Sequence, residues 1–293
     1  MKRARSLSLA VLVLVSAGVA AYPIEDYAGG TAYLGRAWQG VVADDPALGL
    51  INPAVLGFAP RADILLRGGG AGSSGVVFGT YGMAVVKPMR TESATLGQTN
   101  TLATLGFSLD NLGDDGSDYR ESIAAVQVGV PVGDVLALGV NLKTLSLESP
   151  AEADNGFGLD LGLQARFDDG WRLGFAAGNL IPPGLEIGDG RIFSERLLRA
   201  GLAYGGLSWL LPAVEVRYAA TSGEYDYGGH LTLTPIAAES FQLVLSGGYR
   251  VESQIWGAGL SCRLGFVELA AALWAADDAD AEFSLRLALS PDF

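Results

Sequence analysis

The sequence predicts an all-β fold, a transmembrane antiparallel β-barrel of about 14 strands preceded by a short N-terminal hatch. Three observations predict it. The 293-residue chain is 49% hydrophobic and only 17% charged, with mean hydropathy +0.31, which is too apolar for a disordered chain. Beyond residue 21 it holds no run of the ~18 to 20 apolar residues that a spanning helix needs, which excludes a helical membrane protein. From about residue 62 it alternates apolar and polar side chains in segments separated by Gly, Asp, Asn and Pro, the pattern of half-buried strands and tight turns.

Residues 1–21 carry Lys2, Arg3 and Arg5, then the apolar stretch from Leu7 to Val15, then small residues around Gly18 to Ala21. This is the layout of a cleaved secretory signal, with an uncleaved membrane anchor as the alternative. Residues 22–61 do not alternate. Asp44 and Asp45 ahead of Pro46 read as a helix start, and Asn52-Pro53 breaks that helix, because proline lacks a donor and disfavours α geometry in the residue before it. The result is a compact, Pro-interrupted hatch, expected to pack inside the barrel.

Residues 62–293 form the expected barrel, with strands beginning near Ala62, Gly75, Thr95, Arg120, Val135, Asn155, Trp171, Glu195, Trp209, Tyr225, Phe241, Ile255, Phe266 and Glu282. The clearest is Gly156 to Phe167, where Phe157, Leu159, Leu161 and Leu163 oppose Gly158, Asp160, Gly162 and Gln164. A soluble sandwich would alternate too. Aromatic residues near the expected strand ends, namely Trp171, Trp209, Tyr225, Tyr249, Trp256 and Trp274, favour girdles at two membrane interfaces. The chain ends in Phe293, as outer-membrane barrels end in an aromatic residue, although Pro291 is atypical there.

Several run-of-residue patterns point elsewhere and fail on context. Gly70 to Gly75 matches a dinucleotide fingerprint, but an extended segment follows where a helix is required. A Ser-His-Asp group could use only His230, the sole histidine, and no nucleophile-elbow motif accompanies it, so no enzyme is expected. The acidic stretches Asp110 to Asp118 and Asp277 to Asp280 lack EF-hand spacing, and the lone Cys262 can build neither an internal disulfide nor a zinc site. No metal or cofactor is therefore expected. A net charge of −13 repels phosphate backbones and excludes nucleic acid as a natural partner.

The run Gly35, Gly40, Ala43, Asp44, Asp45, Asn52, Pro53, Ala54 and Leu56 resembles the N-terminal signature of the FadL family of outer-membrane long-chain fatty-acid transporters, and more closely its PorV/PorQ-type relatives. Val55, Trp38 and Gln39 depart from that pattern. Gly158-Leu-Asp160-Leu-Gly162, Gly174, Asn179-Leu180, Gly247-Gly-Tyr-Arg and Gly257-Ala-Gly259-Leu also resemble the family. The resemblance implies a hatch-closed barrel in the outer membrane, embedded in its lipid. Hydrophobic small-molecule cargo, fatty-acid-like, is the leading expectation, with Gly40, Asp44, Asp45, Asn52, Pro53 and Ala54 as the hatch residues that govern passage. The alternative is a structural or docking barrel that serves secretion-system proteins or surface attachment.

On the polar face of the strands, Lys143, Asp160, Arg166, Glu215, Arg217, His230, Arg250, Glu268 and Arg286 are expected to point into the lumen, as a packing network or a polar path. If the turn centres on Ser222 and Gly223, Glu215 and His230 sit directly opposite one another and the carboxylate favours a charged imidazole. Glu268 and Arg286 fall on adjacent inward faces in the same reading.

Overall fold

In the computed structural model, residues 33–37, 39–43, 45–71, 78–92, 99–114, 120–149, 153–187, 190–238, 240–276 and 281–290 are described. The leader, Asp44, most of the Gly70 to Gly75 run, Asp277 to Asp280 and Phe293 lie outside them.

The alternating segments leave each strand with one face that only lipid or a core can accept, and closing the sheet on itself satisfies every strand edge. The strands in chain order are β1 (Asp63–Ala71), β2 (Phe78–Glu92), β3 (Thr99–Asp114), β4 (Arg120–Val132), β5 (Leu136–Glu148), β6 (Ala153–Arg166), β7 (Trp171–Ile181), β8 (Gly184–Ile187), β9 (Gly190–Phe193), β10 (Leu197–Tyr204), β11 (Leu210–Ala219), β12 (Glu224–Ala237), β13 (Phe241–Arg250), β14 (Ile255–Leu264), β15 (Val267–Ala276) and β16 (Glu282–Leu289). All except β8 and β9 pair antiparallel with their neighbours, and β1 pairs with β16 from Ile64↔Leu289 to Gly70↔Phe283, so 14 strands close one barrel. Each expected strand start falls within a few residues of an observed one.

Facing follows the alternation. Phe157, Leu161 and Leu163 are exposed on the outer wall of β6, while Gly158, Asp160, Gly162 and Gln164 are buried inward. Phe283 and Leu285 point out from β16 and Ser284 and Arg286 point in. Trp171, Tyr225, Tyr249 and Trp256 are exposed on the outer wall, as membrane-interface aromatics should be, and Trp209 is exposed in the turn before β11. Trp274 departs from that expectation: it shares the inward parity of Glu268 and packs against Leu34 of the hatch.

Short turns sit at the end that holds the start of β1 and the end of β16, such as the Gly133 and Gly265 turns with φ +65 and +58. In outer-membrane barrels that is the periplasmic side. The opposite end carries a feature the alternation did not reveal, the connection from Ile181 to Leu197, where β8 and β9 form a separate two-stranded sheet. Their four-residue length is below what strand patterning can register.

The hatch is not one broken helix. Asp45 caps a 3-10 turn over Pro46–Leu50, accepting from the Ala47 N–H. Asn52 caps a second turn over Pro53–Phe58, accepting from the Ala54 N–H. Asn52-Pro53 thus ends one turn and starts the next, since a proline at the first position loses no hydrogen bond there.

Candidate functional site

The described hatch residues thread the lumen. From Tyr33 to Ala59 nearly all of them are buried, and the backbone comes so close to the wall that several inward positions admit only glycine. A Cβ on Gly139 would collide with Pro53 and Ala54, one on Gly162 with the Asn52 side chain, and one on Gly174 with the Val41 carbonyl. The side chains that hold this backbone are mostly neutral amides. Gln39 donates to the Gly229 and Tyr249 carbonyls (both 3.2 Å), Asn141 to Gly49 (2.9 Å) and Gln164 to Ala43 (3.1 Å). One charge joins them: the Glu215 carboxylate accepts from the Gly40 and Val41 N–H groups at 2.8 and 2.9 Å. Buried backbone groups need partners once they leave water, and these supply them.

Toward β16 the hatch is held by charge. Arg286 donates to Asp45 at 2.6 Å and also to Glu268, whose other oxygen accepts from Arg263 at 2.6 Å. Burial would raise the Asp45 pKa, but the Arg286 guanidinium, with Arg36 behind it, holds the carboxyl below the ordinary value of 3.8. Beside this chain lies a cavity of about 540 Å³ open toward the short-turn end, lined by Asp45, Arg61, Gln242, Arg263, Glu268 and Arg286 among others.

Above the hatch the lumen divides. Lys143 and Asp160 pair at 3.0 Å, and Asp160 also accepts the Asn179 N–H at 2.7 Å, where the β6/β7 ladder shifts register and Asn179 takes φ 56. Next to them Leu112, Ile123, Leu145 and Leu147 point inward as an apolar cluster, with Leu185 of β8 inserted among them.

Solved structures share this architecture. The toluene transporter TbuX of Ralstonia pickettii matches with a TM-score of 0.62 at 13% identity, over 90% of this chain and 98% of that one. The toluene transporter TodX of Pseudomonas putida matches at 0.59 and 12% identity, over 90% and 97% of the two chains. A FadL homologue of Pseudomonas aeruginosa matches at 0.59 and 12%, over 89% and 98%. The barrel shares the fold of these three proteins. No protein-family profile matches the chain, and no curated protein matches its sequence.

Within this barrel the residues singled out in the sequence distribute as follows. Gly40, Asp45, Asn52, Pro53 and Ala54 all lie on the hatch; Asn52 is fully buried and donates to the Val41 carbonyl at 2.7 Å. Lys143 and Asp160 meet above the hatch, Glu268 and Arg286 beside it, and the Arg166 guanidinium lies 4.0 Å over the Phe58 ring. Arg250 is fully buried and pairs with Asp226 at 3.0 Å, while Arg217 stands in register between Arg199 and Asp226.

One expectation is overturned. Glu215 does not face His230: the register pairs Glu215 with Gly228 and His230 with Ala213. The β11/β12 turn closes at Ala219↔Glu224 with Gly223 at φ 78, so it centres one residue earlier than Ser222 and Gly223. That moves the partner by two residues and keeps both side chains inward. The carboxylate meant for His230 serves the hatch amides instead, and both imidazole nitrogens lack a hydrogen-bond partner among the described residues. The expected acidic stretch is also partly structural, because Asp110 is a buried β3 residue ion-paired with Arg67.

The residues singled out in the sequence omitted the neutral Gln39, Gln127, Asn141, Gln164 and Asn179 and the charged Arg199 of β10, all buried. Those on strands other than β7 sit on the same parity as the charged residues that were selected, so neutral polar side chains on lumen parity were the available signal.

Proposed function

We propose that this protein is an outer-membrane channel for small hydrophobic molecules, exported through cleavage of residues 1–21. One observation carries the reading: a hatch seated inside a closed barrel, its backbone against inward glycines of β4 to β7, β13 and β14, with a cavity of about 540 Å³ left beside it toward β16. The shared fold supports it, since TbuX and TodX are toluene transporters. Passage then requires a local shift of a Pro-interrupted segment, with the lipid-facing barrel left intact. The hatch residues Gly40, Asp45, Asn52, Pro53 and Ala54 set the position of that segment, and the lumen-facing charges fix its resting state.

The experiment is uptake of toluene or a hydrophobic dye by proteoliposomes, together with conductance in planar bilayers. Uptake above the empty-liposome rate, and higher ion conductance after deletion of residues 37–58, is the expected result. A docking barrel of the PorV type, serving secretion-system proteins, is favoured by the opposite aspect of the same structure, a lumen filled by hatch and hairpin. Unchanged uptake on loss of the protein, with failed export or display of another protein, would establish that reading in place of passage.

A further inference from the structure

The apolar cluster at the loop-side end of the lumen is out of character for a barrel interior, which is ordinarily polar. Leu112 on β3, Ile123 on β4, and Leu145 and Leu147 on β5 all sit on inward parity, adjacent across three strands. Exposed to water they would form a sticky wall, yet they are buried, and one of the side chains packed on them comes from outside the barrel sheet. Leu185, which is 0% exposed, enters from β8. Behind it Pro183 rests on Gly156 and Gly158, two inward positions of β6 where a Cβ would strike the proline.

The hairpin that delivers Leu185 is weakly built. β8 and β9 pair only with each other, over four residues each, and add no rung to the barrel. An isolated two-stranded hairpin is marginal in water, so its position depends on its anchors. Among the described residues these lie at its two roots: the Ser194 N–H donates to the Pro183 carbonyl at 2.9 Å, and Asn179 donates to the Glu195 carbonyl at 2.8 Å. Glu195 in turn accepts from the Thr221 and Ser222 N–H groups at 2.8 and 2.9 Å. Leu185 is thus an apolar side chain held in an apolar chamber by a segment tied at both roots.

We infer that this chamber is the entry site for cargo and that Leu185 occupies it as a built-in competitor, so that cargo binds by displacing the β8/β9 hairpin. The chemistry of the chamber defines what fits. Its walls are branched aliphatic side chains, and Lys143 below it is already paired with Asp160. A carboxylate entering there would have to break that pair, whereas an uncharged compact hydrocarbon of branched or monocyclic shape replaces Leu185 contact for contact. The inference rests on the passage reading only in taking the occupant to be cargo.

The test uses the full-length protein in detergent, with toluene and octanoate as probes and hydrogen exchange followed over β8 and β9. Toluene is expected to raise exchange in the hairpin while the barrel strands stay protected, and octanoate to need at least tenfold higher concentration for the same effect. Leu185→Ala removes the competitor and should tighten toluene binding roughly tenfold or more, because an apparent affinity is reduced by the fraction of protein in the closed state. Leu185→Met, which conserves volume, should leave it near the original value. Toluene binding with no change in hairpin exchange, failure of toluene to bind even to Leu185→Ala, or equal potency of octanoate would each overturn the inference. Absent flux in proteoliposomes with hairpin displacement intact would instead overturn passage, and with it the occupant's role as cargo, while hydrocarbon binding by displacement of the hairpin would stand.

Discussion

Against β4, β5 and β6 the hatch backbone sits so close that Gly129, Gly139 and Gly162 leave no room for a side chain, whereas toward β16 it stands off and is reached by the long Arg286 side chain across the edge of a cavity. The first contact is fixed by shape, the second by charge. Close packing of backbone on backbone has no soft coordinate, because a few tenths of an ångström already cost contacts on every side. The Asp45–Arg286 pair is largely buried too, but it borders a cavity and Arg286 keeps Glu268 as a second partner, so it can loosen without leaving a charge unpaired. In the proposed passage, the expected yielding edge is the one by the Arg286 cavity, and the glycine-backed contacts with β4 to β6 are the expected pivot.

Three substitutions break or sharpen that contrast, the most damaging first. Gly139→Leu places a side chain where Pro53 and Ala54 already are. It should cost about 3 kcal/mol or more in denaturant stability of the seated hatch, and planar-bilayer conductance should rise toward that of the hatch deletion. Wild-type stability with closed conductance would mean that the glycine fit does not position the hatch. Glu215→Ala leaves the Gly40 and Val41 N–H groups without their acceptor, and should cost about 2 to 3 kcal/mol by the same denaturation assay. Equal stability to the parent would show that water replaces the carboxylate and that this part of the contact is softer than argued.

The smallest effect belongs to the charged side. Asp45→Asn keeps an N-cap acceptor for Ala47 but removes the charge facing Arg286. It should cost about 1 to 2 kcal/mol, held down because the buried Arg286 keeps Glu268 as its partner, and appear chiefly as more frequent opening events in single-channel records. The pH dependence follows from the sign of the Asp45 shift. A carboxyl held below its ordinary 3.8 contributes stability that is fully present above that value and is lost only as pH falls through the lower folded value. Opening frequency should thus be flat from pH 7 to pH 5 and rise only in stronger acid, and Asp45→Asn should remove that rise. A transition near neutrality would assign the latch to another group.

Much of this molecule was determined by its sequence. Period-two alternation such as Phe157 to Gln164 fixes both the strand and which face meets lipid, because a strand with one apolar face has few ways to bury it. Prolines preceded by Asp45 and Asn52 set the hatch turns, because capping and the missing proline donor are local effects. Tertiary structure alone decided what those faces meet. Glu215 meets the hatch because a turn centred one residue earlier shifts its cross-strand partner from His230 to Gly228, and turn centring depends on the backbone angle at Gly223. Trp274 points inward because barrel parity outranks proximity to a strand end. The lumenal glycines read as turn formers or gaps until the hatch backbone lies against them, and Leu185 reads as an ordinary loop residue until the fold brings it 38 to 73 positions along the chain to Leu147 and Leu112. Strand and cap chemistry acts between neighbours in sequence; register and lumen packing act across the barrel, where the chain order carries no direct signal.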